Sequence, residues 1–199
     1  MGEPRATVET AEKVVENDKL VTKMVPRKVT KIVTWEDRRK TMKGACLNCH
    51  NATYVDNFYT QFDDLVTLYN DKFARPAQEF MNELTKDGVL NPKAPFEHEV
   101  QWVFWELWHH EGRRARHGAS MMGPDYTHWH GMYEVSKHFY TEFLPAVVTA
   151  AGEKSPELKV KYERKVAEFL ARPEHLWQKG LTPEEAEALR KGYEDRYGK

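Results

Sequence analysis

Cysteine is nearly absent from this chain of 199 residues: there are two, Cys46 and Cys49, and no second pair that would complete a zinc site of four thiolates. No run of apolar residues approaches the ~20 needed to cross a bilayer. No hydrophobic core of a secretory signal follows Met1-Gly2-Glu3-Pro4. An excess of charge is missing as well. Thirty Lys and Arg stand against 31 Asp and Glu, a formal net charge of -1, which removes any electrostatic argument for nucleic acid or an anionic membrane as partner. What remains is length enough for a sizeable core in one domain or somewhat more, 12% aromatic residues with six Trp among them, and nine His.

The two cysteines occur together in Cys46-Leu47-Asn48-Cys49-His50. C-x-x-C-H is the attachment signature of a c-type haem. Thiols three residues apart reach the two vinyl groups of one porphyrin, and the imidazole that follows comes beneath the iron as proximal ligand. Cys46 and Cys49 are therefore the expected thioether anchors and His50 the expected axial metal ligand, for one covalent haem c per chain. Two plainer readings compete. A redox dithiol uses a strand-then-helix setting that the flanking residues do not suggest. A zinc site would have to draw its remaining ligands from histidines far along the chain. Covalent haem is assembled outside the cytoplasm, so the haem reading carries an expectation of a periplasmic or other extracytoplasmic location. The export signal would then have been removed, or this is a piece of a longer exported protein; the second is favoured.

Residues 1–44 are polar and weakly patterned and read as a connector with little regular structure. Within them, residues 7–23 fit a short helix on Val8, Ala11, Val14, Val15 and Leu20, whereas residues 25–34 alternate as an extended segment broken by Pro26. Trp35 opens a helix that delivers the cysteine motif. From about Asp56 to Asp87 the residues Phe58, Phe62, Leu65, Tyr69, Phe73, Phe80 and Leu84 recur at steps of three, four or seven, one stripe of a long helix. Gly88 is its stop, and Pro76 should kink or divide it. The stripe argues for an all-α architecture of long helices packed on helices, including contacts between subunits.

Residues 95–118 concentrate the chemistry. Pro95, Glu97 and Glu99 near the start, arginines in the last turn and Gly118 beyond them are helix boundary signals. In such a helix Val103, His110 and His117 share one face, and Trp102 and His109 a neighbouring one. Imidazoles set among tryptophans suit a bis-histidine haem environment, though a single one would be an ordinary core residue. The arginines would pair with haem propionates, or simply form a solvated face. After a turn, Asp125 is the expected N-cap of a second helix in which Tyr126, His130, Tyr133, Lys137 and Tyr140 align, which a wet helix surface would also explain. The division that follows is a haem-binding helical domain over 45–150 and a helical tail over 151–199. In the tail, one helix opens at Ser155-Pro156 and another at Thr182-Pro183 with Glu185 closing a capping box, and His175 between them carries no role.

The run Leu107-Trp108-His109-His110-Glu111-Gly112-Arg113-Arg114-Ala115-Arg116-His117-Gly118-Ala119-Ser120-Met121-Met122-Gly123-Pro124-Asp125-Tyr126-Thr127-His128-Trp129-His130-Gly131 resembles the C-terminal part of the octahaem hydroxylamine oxidoreductase family. The order also fits: a last haem motif, a long helix, a histidine-rich block, then a helical tail. The resemblance covers roughly residues 34–144. It implies a multihaem cytochrome c in which eight haems sit in a mainly helical subunit and three subunits associate through long helices. In that family seven haems relay electrons from a catalytic one that oxidises hydroxylamine or hydrazine, and a tyrosine of a neighbouring subunit is bonded to the catalytic porphyrin. Carried over, Cys46, Cys49 and His50 match the last haem motif, and His109, His110, His117, His128 and His130 match distal-ligand positions. Tyr126 is the candidate crosslinking tyrosine, with Tyr133 in reserve.

Seven haem motifs, the catalytic one among them, are missing from this chain, so alone it has no catalytic haem. The resemblance therefore implies a segment that contributes one haem, distal ligands and assembly contacts. Its expected partners are two further copies in a homotrimer, a companion chain carrying the other haems, and a redox partner protein. Two alternatives stay open: a stand-alone monohaem electron carrier with His117 or a neighbour as sixth ligand, and a haem-free helical assembly module. A reductive relative acting on nitrite stays open within the first reading.

Overall fold

A computed structural model describes residues 5–17, 19–30 and 33–198. The chain divides into two compact units, residues 1–59 and 60–199, with the boundary inside one helix. In the first, β1 (Arg5–Glu16) and β2 (Lys19–Thr30) form an antiparallel hairpin whose register runs from Arg5 opposite Thr30 to Glu16 opposite Lys19. The helix expected over 7–23 is not formed. Its apolar residues are largely β-branched and too sparse for a helical face, and Asn17, at φ 49°, supplies the left-handed turn residue that a tight hairpin needs. Cross-strand pairs Lys23–Glu16 and Arg27–Glu12 reinforce the register. The extended reading of 25–34 holds to Thr30, with residues 31 and 32 outside the described ones. Pro26 is tolerated because both strands of a two-stranded ladder are edges.

Helix α1 (Trp35–Cys46) starts where the Thr34 hydroxyl accepts from the Asp37 amide at 3.2 Å. With the hairpin, it makes residues 1–44 more regular than a connector. The Arg39 guanidinium lies 4.8 Å from the ring centres of both Trp35 and Tyr59, and Lys43 pairs with Asp56 at 2.7 Å, fixing α1 against the start of α2 (Ala52–Tyr69).

The second unit is helical and built from three long runs. The first continues α2 through a π turn (Asn70–Ala74) into α3 (Arg75–Lys86). Pro76 neither breaks nor divides it. The proline ring crowds the carbonyl four residues back, and the step to a five-residue hydrogen bond, seen from Arg75 N–H to Asn70 C=O, accommodates it. Gly88, at φ 71°, ends the run as expected.

The second run comprises α4 (Glu99–Trp105), a π turn (Glu106–Glu111) and α5 (Gly112–Ser120). It begins at Glu99 rather than near Pro95 because the Gln101 side chain caps the His98 amide at 2.8 Å. Gly118 lies inside α5 rather than after it. The third run is α6 (Pro124–Thr127), a π turn (His128–Tyr133), α7 (Glu134–His138), a π turn (Phe139–Phe143) and α8 (Leu144–Lys154). Its N-cap is Gly123; Asp125 sits in the first turn, where its charge still complements the helix dipole. Pro145 follows the last π turn in the same way as Pro76 follows the first.

These runs share one core with α9 (Pro156–Leu170), in which Phe73, Phe80, Phe139, Phe143 and Phe169 interlock edge-to-face and stacked. Of residues 151–199, α9 packs into this core. Tyr162 is buried and donates to Asp87 at 2.8 Å, and Lys161 and Lys165 pair with Asp87 and Glu83. A 3-10 turn (Pro173–Lys179) then buries His175, 1% exposed, against the Tyr140 hydroxyl at 2.7 Å. Burial holds that imidazole below its ordinary pKa. α10 (Pro183–Tyr197), with the expected Thr182–Glu185 capping box, contains no buried residue, and neither does α1. Among the described residues no helix is long and apolar enough to cross a membrane.

Lys161, and after it Tyr162, hold the Asp87 carboxyl below its ordinary 3.8. A carboxyl depressed by folding stabilises the fold above its unfolded pKa, and that contribution is lost as pH falls through the folded value. Urea midpoints of the wild type should therefore drop as pH goes below 3.8 more steeply than those of Asp87→Asn, which loses the pair at every pH.

Candidate functional site

The cysteine motif occupies the turn between α1 and α2. Cys46 closes the last turn of α1, and the Cys49 and His50 amides both donate to its carbonyl, at 3.1 and 3.0 Å. Asn51 then caps α2, accepting from the Tyr54 amide at 2.9 Å. Two helix ends thus hold the two thiols and the imidazole within one five-residue turn. Both cysteines are free; Cys49 and His50 are exposed and Cys46 is half-buried. The His50 ring stacks on Tyr54, one helical turn on, with centres 4.6 Å apart.

In the helical unit, His109, Arg113 and His117 follow one another at four-residue steps and form a ridge with a cleft on either side. The first cleft, about 520 Å³, adds Trp105, His110, Arg114, Met121 and Tyr126. The second, about 480 Å³, adds Phe62, Trp108, Arg116 and Ser120. Both are in the size range of small-molecule and cofactor sites. His109 stacks on Trp105 at 4.2 Å and meets Trp108 edge-on at 5.1 Å.

The expected histidines are not equivalent in this geometry. The imidazoles of His109 and His117 hydrogen-bond to no described residue. His110 is engaged on both nitrogens: Nε2 meets Arg114 at 2.7 Å and Nδ1 meets Glu111 at 3.3 Å. Arg114 in turn donates to Glu134 at 2.9 Å. His128 and His130 lie on an exposed π turn and line neither cleft; His130 sits between Asp125 at 3.6 Å and Glu134 at 3.3 Å. Tyr126 lines the first cleft and is 58% exposed, while Tyr133 packs beside Trp129 instead.

Two glycines set this arrangement. A Cβ on Gly131 would lie 2.5 Å from the Tyr126 carbonyl oxygen and 2.6 Å from Ala115 Cα, and one on Gly118 would lie 2.7 Å from the Thr127 amide. Only bare backbone lets α5 and the start of the third run approach so closely, and that approach brings Tyr126 to the histidine ridge. Sequence patterning misses both roles, because a close-contact glycine leaves no periodic mark. It misses also a group formed by Glu106, Glu111 and His138, brought together from two different runs.

No family model, no curated protein and no solved structure matches this chain.

Gly131→Ala should cost several kcal/mol or prevent folding, since the obstructing atoms are backbone. Gly44→Ala in α1, where a Cβ meets nothing within 4 Å, should be neutral or stabilising by up to ~1 kcal/mol. Thermal melts of the two variants followed by circular dichroism check the contrast.

Proposed function

We propose that this chain is a c-type haem electron-transfer segment of a hydroxylamine or hydrazine oxidoreductase-like multihaem assembly, with one haem c attached at Cys46 and Cys49. The observation that carries the reading is the turn itself: two free thiols and an imidazole held by helix ends in the C-x-x-C-H order. The donor set fits the group. Thiols at i and i+3 are free to form thioethers, and the His50 imidazole, stacked on Tyr54, would offer its nitrogen to iron. Haem bound there would supply a one-electron redox centre.

The clefts beside His109 and His117 support the wider reading. Their walls combine indole and phenyl planes, imidazoles with uncommitted nitrogens, and the Arg113 guanidinium, which is the chemistry that a macrocycle with two carboxylates needs. His109 and His117 are the favoured distal ligands for haems carried by a companion chain. His110 is better suited to orienting Arg114, because both of its nitrogens are occupied. Tyr126 stands as the candidate crosslinking tyrosine, its exposure leaving the phenol accessible to a neighbouring subunit, with Tyr133 in reserve. The homotrimer, the redox partner and an extracytoplasmic location belong to the same proposal.

Expression of the chain with a cytochrome c maturation system should give an intact mass raised by one haem and a sharp low-spin reduced spectrum. Cys46→Ser with Cys49→Ser should abolish both. An unchanged mass in the wild type, with the protein folded, would overturn the haem assignment.

A further inference from the structure

Among the described residues four π turns interrupt the helices, and they do not share a cause. Asn70–Ala74 and Phe139–Phe143 stand directly before Pro76 and Pro145, which account for them. Glu106–Glu111 and His128–Tyr133 contain no proline and stand directly before none, so proline does not account for their less favourable backbone. Unprompted π turns occur often at functional sites because they re-aim side chains. Glu106 and Glu111 are five residues apart. In an α-helix they would diverge; the five-residue hydrogen-bond step brings them toward one side.

His138 meets them there from α7, in the neighbouring run. One donor atom from each of Glu106, Glu111 and His138 lies within 4.8 Å of the other two. Glu111 is 2% exposed, and its Oε2 is buried with no hydrogen-bond partner. His138 Nδ1 lies 3.1 Å from Glu111 Oε1 but without the alignment of a hydrogen bond, so that nitrogen is also buried and unsatisfied. The nearby arginines are committed elsewhere. Arg114 bonds Glu134 and His110, and Arg116 bonds the Gly112 and Trp108 carbonyls while covering the Tyr69 ring. A buried carboxylate with an unsatisfied oxygen is costly unless a cation meets it.

We propose that Glu106, Glu111 and His138 bind a divalent first-row transition ion, through two carboxylates and one imidazole. Ligand distances of about 2.0–2.2 Å put neighbouring donors roughly 3–4 Å apart, so the 3.1 Å between His138 Nδ1 and Glu111 Oε1 already matches one edge of a coordination shell. Mixed oxygen and imidazole donors suit Mn²⁺, Co²⁺ and Zn²⁺ rather than a soft thiophilic ion. None of the three residues is a candidate haem ligand, and the site does not depend on the haem reading. The ion would tie the second helical run to the third.

The test uses the full chain, stripped with chelator and titrated with Mn²⁺, the loss of the free-ion electron paramagnetic resonance signal reporting binding. Mn²⁺ discriminates against the Cys46 and Cys49 thiols. One ion per chain is expected for the wild type and for Cys46→Ser/Cys49→Ser, with a raised melting temperature in its presence. Glu111→Gln and His138→Gln should each weaken binding at least tenfold and abolish the thermal shift, while His98→Gln changes neither. Glu106→Gln is the further variant if the buried substitutions fail to fold, and it too should weaken binding. No saturable Mn²⁺ binding by the wild type would overturn the site, leaving Glu111 and His138 as a buried pair. So would wild-type affinity in the folded Glu106, Glu111 or His138 variants.

Discussion

Pro76 and Pro145 each remove a backbone donor from a helix that nevertheless runs on, and the chain absorbs both by lengthening the hydrogen-bond step to five residues. Every position beyond such a step is rotated relative to an unbroken helix. The faces that the long helices present to each other and to a ligand therefore depend on where these steps fall. The same device, without proline, opens the second run at Glu106–Glu111. There the Tyr69 hydroxyl donates to the Leu107 carbonyl at 3.2 Å, giving the widened turn an added partner, and Gly112 leaves room for the Tyr69 ring beside it.

From that step follows the placing of the histidines. His109 falls on the same ridge as His117, although an unbroken helix groups His117 with His110. His110 turns instead toward Glu111 and Arg114. The close approach at Gly118 and Gly131 then sets the depth of the first cleft and brings Tyr126 to its wall. Packing and chemistry are joined here: the same backbone contact that closes the core between α5 and the third run also opens a surface of imidazole, indole and guanidinium. Beside His110 lies the one buried carboxylate among the described residues, Glu111, whose second oxygen no described group satisfies.

Read without coordinates, the long aromatic stripe from Phe58 to Leu84 locates the first helical run, and its lower half is buried as a periodic stripe should be. The Thr182–Glu185 box, the Ser155 cap and the Gly88 stop are equally legible, because each is a local arrangement of two or three residues. The N-terminal hairpin is misread because its few apolar residues fall near helical spacing by chance, too sparse for a real face, whereas the strand pairing that stabilises it lies between residues up to 25 positions apart, Arg5 and Thr30. Asp125 looks like a cap but yields to Gly123, since the reversal at Met122, φ 54°, fixes where the third run begins.

The amino-acid sequence by itself determined the mainly helical class of the second unit and the cysteine-histidine turn, for turn and periodicity are written in residues a few positions apart. It also carried the inventory of histidines, tryptophans and arginines, but not their partners. The tertiary structure alone decided which imidazoles share a ridge, that His175 is a buried partner of Tyr140, that α9 belongs to the core, and that Glu106 and Glu111 meet His138. Those outcomes depend on π steps and on glycine contacts between helices. Both shift side chains by a fraction of a turn, with no change in the spacing that a sequence displays.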